Sequence, residues 1–104
     1  MNIAKMMQQA KKMQDNLRKM QQELATMEVT GEAGGGMVRV TMNGERVVSR
    51  VSIDDAVWQE HDKSLIEDLV AAAFNAAARS VDEMSKQKQK ELMAGMPLPP
   101  GFSL

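Results

Sequence analysis

Residues 1–27 carry an apolar repeat that leaves this chain few options. Ile3, Met6, Ala10, Met13, Leu17, Met20, Leu24 and Met27 succeed one another at alternating steps of three and four, with no Pro or Gly among them. A seven-residue repeat with every inward slot apolar predicts a long helix and a facing surface that accepts its knobs. With Ile3 as position a, the five cations Lys5, Lys11, Lys12, Arg18 and Lys19 all fall at b or c, while the two acids, Asp15 and Glu23, fall at f and g. The helix therefore has an apolar seam and a basic stripe along one flank. Gln, Lys, Met, Arg, Leu and Glu favour it throughout, and Asn2 can cap its start. From Ile3 to Met27 it would run about 37 Å.

At Val29 the pattern changes. Thr30, Gly31 and Gly34-Gly35-Gly36 end the helix, and Val29, Gly31 and Ala33 fit one face of a short edge strand. Met37–Met42 and Glu45–Ile53 then alternate at period two around Asn43-Gly44, a strong signal for a two-residue type I′ hairpin. Pairing Met42 with Glu45 sets Val40 opposite Val47 and Val38 opposite Ser49, and puts Val48 on the reverse face with Arg39, Arg46 and Arg50. Asp54-Asp55 ends the strand, and a turn of helix is expected around Trp58. A second long helix begins near Asp62–Ser64, where Ser64 and Glu67 have capping-box spacing. Its stripe, Ile66, Val70, Ala73, Ala77 and Met84, includes an Ala-rich stretch over Ala71–Ala78 that lets another backbone come close. Gly95 stops it, and Met96-Pro97-Leu98-Pro99-Pro100-Gly101-Phe102 reads as an extended tail.

The expected fold is α+β, in the order α-β-β-β-α. A three-stranded antiparallel sheet and two long helices form two layers, with a single domain over residues 1–94 and a Pro-rich tail over 95–104. A strand of seven or eight residues spans about 25 Å, against about 37 and 45 Å for the helices. Both helices should overhang the sheet and pair with each other or with a second copy. With only three aromatic residues and eleven Met, the core is soft, which again favours help from helix pairing or oligomerisation.

Composition excludes several functions. Without Cys there is no disulfide framework, thiolate nucleophile or zinc-thiolate site. The longest uncharged apolar run, Leu69 to Ala78, is too short to span a bilayer. His61, the only histidine, lies between Glu60 and Asp62 and reads as solvated rather than as a base or ligand. Asp54, Asp55 and Asp62 fit strand termination and helix capping better than any metal-loop spacing. Gly34–Gly36 lacks the following helix and Lys-Ser/Thr that a phosphate cradle needs, so it reads as a turn or bulge. No catalytic residues, cofactor, metal or small-molecule substrate are expected.

Charge is segregated instead. The net charge is −1, yet residues 1–24 carry +3, residues 25–62 carry −4 and residues 63–104 carry 0. Local field, not net charge, steers a polyanion. A cation row at helical pitch can follow a phosphate backbone without reading sequence. Arg79, Lys86 and Lys90 make a second, weaker row interrupted by Glu83.

The order of these features resembles the YbaB/EbfC family of bacterial nucleoid-associated proteins. The resemblance is carried by Met6-Met7-Gln8-Gln9-Ala10-Lys11-Lys12-Met13-Gln14, by Gly31-Glu32-Ala33-Gly34-Gly35-Gly36-Met37-Val38 and by Asn43-Gly44. It continues through Val51-Ser52-Ile53-Asp54, the Leu65 to Ala76 stretch and the final Gly-Met-Pro-Leu-Pro-Pro-Gly-Phe. It implies a tight homodimer with projecting helical arms, no enzymatic activity, and DNA binding in the cytoplasm at the nucleoid. Carried onto this sequence, the DNA-contacting residues are Lys5, Lys11, Lys12, Arg18 and Lys19 on the first helix, and Lys86, Lys88 and Lys90 on the second. Two rivals remain: a protein-interaction or scaffold module with no DNA contact, and a basic amphipathic helix lying on a membrane surface.

Overall fold

The computed structural model describes residues 2–94, an elongated body of 69 × 25 × 16 Å. Its elements follow the order α1 (Ile3–Thr26), β1 (Glu28–Ala33), β2 (Val38–Asn43), β3 (Val48–Ile53), α2 (Asp55–Gln59) and α3 (Lys63–Ala94). The expected helix stop at Gly95 and the Pro-rich tail lie outside the described residues. The strands form an antiparallel sheet in the order β1-β2-β3, and α3 packs across β1 and β2 on one face. This is the α-β-β-β-α layout expected from the sequence, with α2 as the helical turn carrying Trp58.

Alternation explains the core. Val38, Val40 and Met42 point from β2 to one face and are fully buried, against Ala73, Ala77 and Val81 of α3. Val29 and Ala33 from β1, with Leu69 and Val70 from α3, pack around them. Between Val29 and Ala33 stands Gly31, and a Cβ there would come within 2.2 Å of both the Ala73 carbonyl oxygen and the Ala77 backbone nitrogen. The helix backbone rests on the strand backbone, which is what the alanines of α3 permit.

The β2–β3 hairpin departs from the expected register. Met42 faces Val48, Val40 faces Val51 and Val38 faces Ile53, with a bulge between Thr41 and Met42. No type I′ turn forms, because positive φ falls on Arg46 (67°) and on neither Asn43 nor Gly44. The Arg46 N–H donates to the Asn43 carbonyl (3.0 Å), and the Asn43 N–H to the Val47 carbonyl (2.9 Å). The Asn43 side chain accepts from the Glu45 and Val47 N–H groups at 2.8 and 3.0 Å. The loop is thus Gly44-Glu45-Arg46, a three-residue turn closed by a left-handed residue. Its glycine is needed elsewhere. A Cβ on Gly44 would meet the Leu24 carbonyl oxygen at 2.4 Å, and the Gly44 N–H donates to the Leu24 and Met27 carbonyls at 2.8 and 3.1 Å. Gly44 anchors the end of α1 and so cannot set the turn type. The bulge also moves Val48 to the inner face beside Met42, leaving Arg39 and Arg50 on the reverse face opposite Ser52 and Thr41.

Both helix caps near the middle of the chain are aspartates. Asp54 accepts from the Ala56 N–H (2.9 Å) and starts α2. Asp62 accepts from the Leu65 N–H (3.1 Å) and starts α3, so the cap falls two residues before Ser64. A carboxylate at this position also favours the positive helix end.

Three outcomes follow from the glycine contacts. Gly31→Ala should cost about 3 kcal/mol or more in urea unfolding, because neither backbone can yield without lifting α3 off the core. Gly35→Ala should cost only about 1–2 kcal/mol, since at φ +70 it meets nothing within 4 Å and carries only the left-handed penalty. Gly44→Ala should act on one joint: hydrogen exchange in residues 17–26 should quicken while Val38–Met42 stay protected.

Candidate nucleic-acid interface

α1 is a rod fixed at one end. Its start is capped by Asn2, whose side chain accepts from the Lys5 N–H (3.3 Å), and it runs 24 residues, about 36 Å. Leu24 is its one buried residue, held at the Gly44 joint. Further out, Met20 and Asn16 approach Glu91 and Leu92 near the end of α3, around a shallow concavity of about 210 Å³. Beyond that point along α1, residues 2–12 are exposed. Its seam, expected to be covered, is open over this part: Ile3 is 72% exposed and Met6 50%, with Met13 half-buried.

The cation stripe lies on this rod. Lys5, Lys11, Lys12, Arg18 and Lys19 are all exposed, and none forms an ion pair among the described residues. From Lys5 to Lys19 they span about 21 Å along the axis. Lys19 borders the concavity shared with α3, near Glu23.

The α3 cations divide. Lys86 and Lys90 are exposed and unbridged among the described residues. Lys88 is the exception, its side chain only 25% exposed and its Nζ 3.4 Å from Glu23 and 3.8 Å from Glu91. It ties α3 to α1. Sequence spacing missed this because Glu23 is 65 residues away; only the antiparallel course of the two helices brings them together. Two further arginines are also engaged, Arg39 with Glu32 at 3.3 Å and Arg46 with Asp82 across to α3.

Other candidate sites lack a chemical constellation. Gly34–Gly36, with φ of 65°, 70° and 91°, form the β1–β2 turn, and a strand follows them. His61 is exposed and shares an open, mainly apolar hollow of about 280 Å³ with Trp58, Lys63, Ile66 and Glu67. Among the described residues no three His, Cys, Asp or Glu side chains gather as metal ligands, and no helix is long and apolar enough to cross a membrane.

A second surface is apolar. Because α3 covers β1 and β2, the inner face of β3 is left open, with Val48 37% and Val51 48% exposed. On α3, Phe74 is 43% exposed beside a groove lined by Ile66, Val70 and Ala71 of the same helix.

In three dimensions the chain is similar to the uncharacterized protein HP0035 from Helicobacter pylori, with a TM-score of 0.77 and 22% identity over 89% of this chain and 98% of that one. At that identity the likeness speaks for the fold alone. The family relation comes from the sequence itself, since residues 1–96 match the model of the YbaB/EbfC DNA-binding family. The chain belongs to the YbaB/EbfC DNA-binding family.

Proposed function

We propose that this chain is a non-enzymatic, nucleoid-associated protein of the bacterial cytoplasm that binds DNA as a homodimer. Its contacts run from the basic flank of α1 to phosphates, with little sequence preference. The observation that carries the reading is the stripe Lys5, Lys11, Lys12, Arg18 and Lys19, exposed and unbridged among the described residues on a rod that overhangs the sheet. Such cations release counterions from a phosphate backbone wherever they meet one. Lys86 and Lys90 extend the same surface, while Lys88 serves it by holding the two helices together. Base-specific readout has no obvious agent, since the sequence shows no helix-turn-helix, zinc finger or stacking aromatic beside the stripe.

The homodimer rests on the apolar surface of β3 and α3. Val48 and Val51 on β3 and Phe74 on α3 are large apolar side chains left exposed, which invites a covering surface. A second copy placed there would double the number of arms and let both grip one duplex. The same surface favours the rival reading, a protein-interaction module, which predicts a partner that survives nuclease treatment.

Two measurements test this. Replacing Lys11, Lys12, Arg18 and Lys19 by Gln should lower the slope of log affinity against log salt by about 3–4, with one phosphate per cation, and should weaken binding to unrelated duplexes alike. The melting temperature should hardly move, because exposed substitutions cost within about 0.5 kcal/mol. Unchanged affinity would defeat the reading. Val51→Ser with Phe74→Ser should convert a dimer by light scattering into the 11.5 kDa monomer without loss of helical signal; a wild-type chain already monomeric at micromolar concentration would remove the second half of the proposal.

A further inference from the structure

α1 is tied to the sheet at a single joint, and one ion pair further along gives it a direction. We infer that Lys88 is a positioning residue, one that fixes the angle and rotation of α1 against α3 and touches no phosphate itself; this rests on the DNA-binding reading. Met27 alone separates α1, which ends at Thr26, from β1, which starts at Glu28. At this root the Leu24 and Met27 carbonyls accept from one donor, the Gly44 N–H, at 2.8 and 3.1 Å. Bonds that converge on one N–H hold the helix end in place, but hydrogen-bond angles tolerate enough spread to leave its direction open. A support away from the root has to set it.

Lys88 supplies that support. Its Nζ lies 3.4 Å from Glu23 on α1 and 3.8 Å from Glu91 on its own helix. Glu91 steadies the ammonium from α3, and Glu23 receives it across the gap. With its side chain 25% exposed, Lys88 is the most covered cation of the ion pairs among the described residues, so water screens it less than the others. At 3.6 residues per turn it stands about 200° around α3 from Lys86 and from Lys90. A duplex lying along those two meets the far side of the helix, while Lys88 takes the side facing α1. On α1, Lys5, Lys12 and Lys19 fall within about 40° of the direction of Glu23. Holding Glu23 against Lys88 therefore fixes which way that line of cations faces. Leverage makes the contact matter. Glu23 is about 4.5 Å along the axis from Thr26 and Lys5 about 32 Å, so 1 Å of slack at Glu23 becomes about 7 Å at Lys5. That is two of the ~3.4 Å steps between phosphates along one strand, enough to put the outer lysines out of register with the inner ones.

Exchanging the charges separates positioning from contact. Lys88→Glu leaves three carboxylates without their cation, whereas Lys88→Glu with Glu23→Lys keeps the pair and the local charge but removes the cation from α3. Binding to unrelated duplexes should weaken about five- to tenfold in Lys88→Glu and return to within about twofold of wild type in the exchange. Because the chain has no Cys, Gln89→Cys adds a single thiol for a nitroxide on α3. Isotope- and nitroxide-labelled protein, diluted into a large excess of plain chain, lets each signal report its own label. The nitroxide should broaden the amide signals of residues 12–20; Lys88→Glu should sharpen them and the exchange should broaden them again, with circular dichroism unchanged throughout. An exchanged protein as weak as Lys88→Glu would overturn the inference and make Lys88 a direct phosphate contact. So would an affinity indifferent to Lys88→Glu, or amide signals that do not respond to it. A wild-type chain that bound no duplex would defeat the DNA-binding reading instead, while the amide signals would still decide whether Lys88 sets the angle of α1.

Discussion

Backbone contact between α3 and β1 sets the distance between the two layers, and most of the molecule's surface chemistry follows from it. At Gly31 there is no room for a Cβ, and the facing residues Ala73 and Ala77 are fully buried. Layers this close enclose little volume. The largest fully buried side chains are Met42, Val38, Val40 and Val81, with no aromatic among them. A core of small and medium side chains yields limited hydrophobic stabilisation, at about 25 cal/mol per Å². The chain nevertheless has more large apolar residues than that narrow space accepts. Val48, Val51 and Phe74 stay partly exposed at the open side of α3, and Ile3, Met6 and Met7 along α1. Both groups leave apolar area open to a further surface, and they lie on different parts of the fold.

The parts of this architecture that depend on local periodicity were legible in the sequence. Asn2 caps α1, the heptad runs to its end, Val29, Gly31 and Ala33 line one face of β1, and the Ala-rich stretch of α3 admits a backbone. What escaped depends on contacts between distant segments. Asn43-Gly44 has the composition of a two-residue turn, but Gly44 is occupied by its approach to Leu24, and Arg46 takes the left-handed position instead. The resulting bulge turns Val48 to the face of Met42, where it stays 37% exposed. Asp62 takes the cap that Ser64 was expected to form, a shift of the kind that boundary signals alone do not resolve. Lys88, named with Lys86 and Lys90 from the resemblance, pairs with Glu23 because α1 and α3 run side by side. Among the described residues, the five cations of α1 form no ion pair.

The division of charge gains its meaning from length. Leu24 marks the root of α1, and Lys5, Lys11 and Lys12 lie about 18–28 Å out from it along the helix. At physiological ionic strength, interactions across water fade over about 8 Å. The excess of acids in residues 25–62 belongs to the sheet and the α2 connector, so it does little to offset these three lysines. Nearer the root the balance differs: Glu23 and Glu91 meet Lys88, and Lys19 stands at the edge of that paired region. A polyanion approaching from the tip of the rod thus meets a positive field in a protein of net charge −1. In the proposed DNA contact, what matters is the distance along the long axis from these lysines to the acids of the sheet; Asp15 is the acid that α1 itself places among the cations. A shorter α1 with the same composition would bring the two signs within screening distance and weaken that field without changing the net charge.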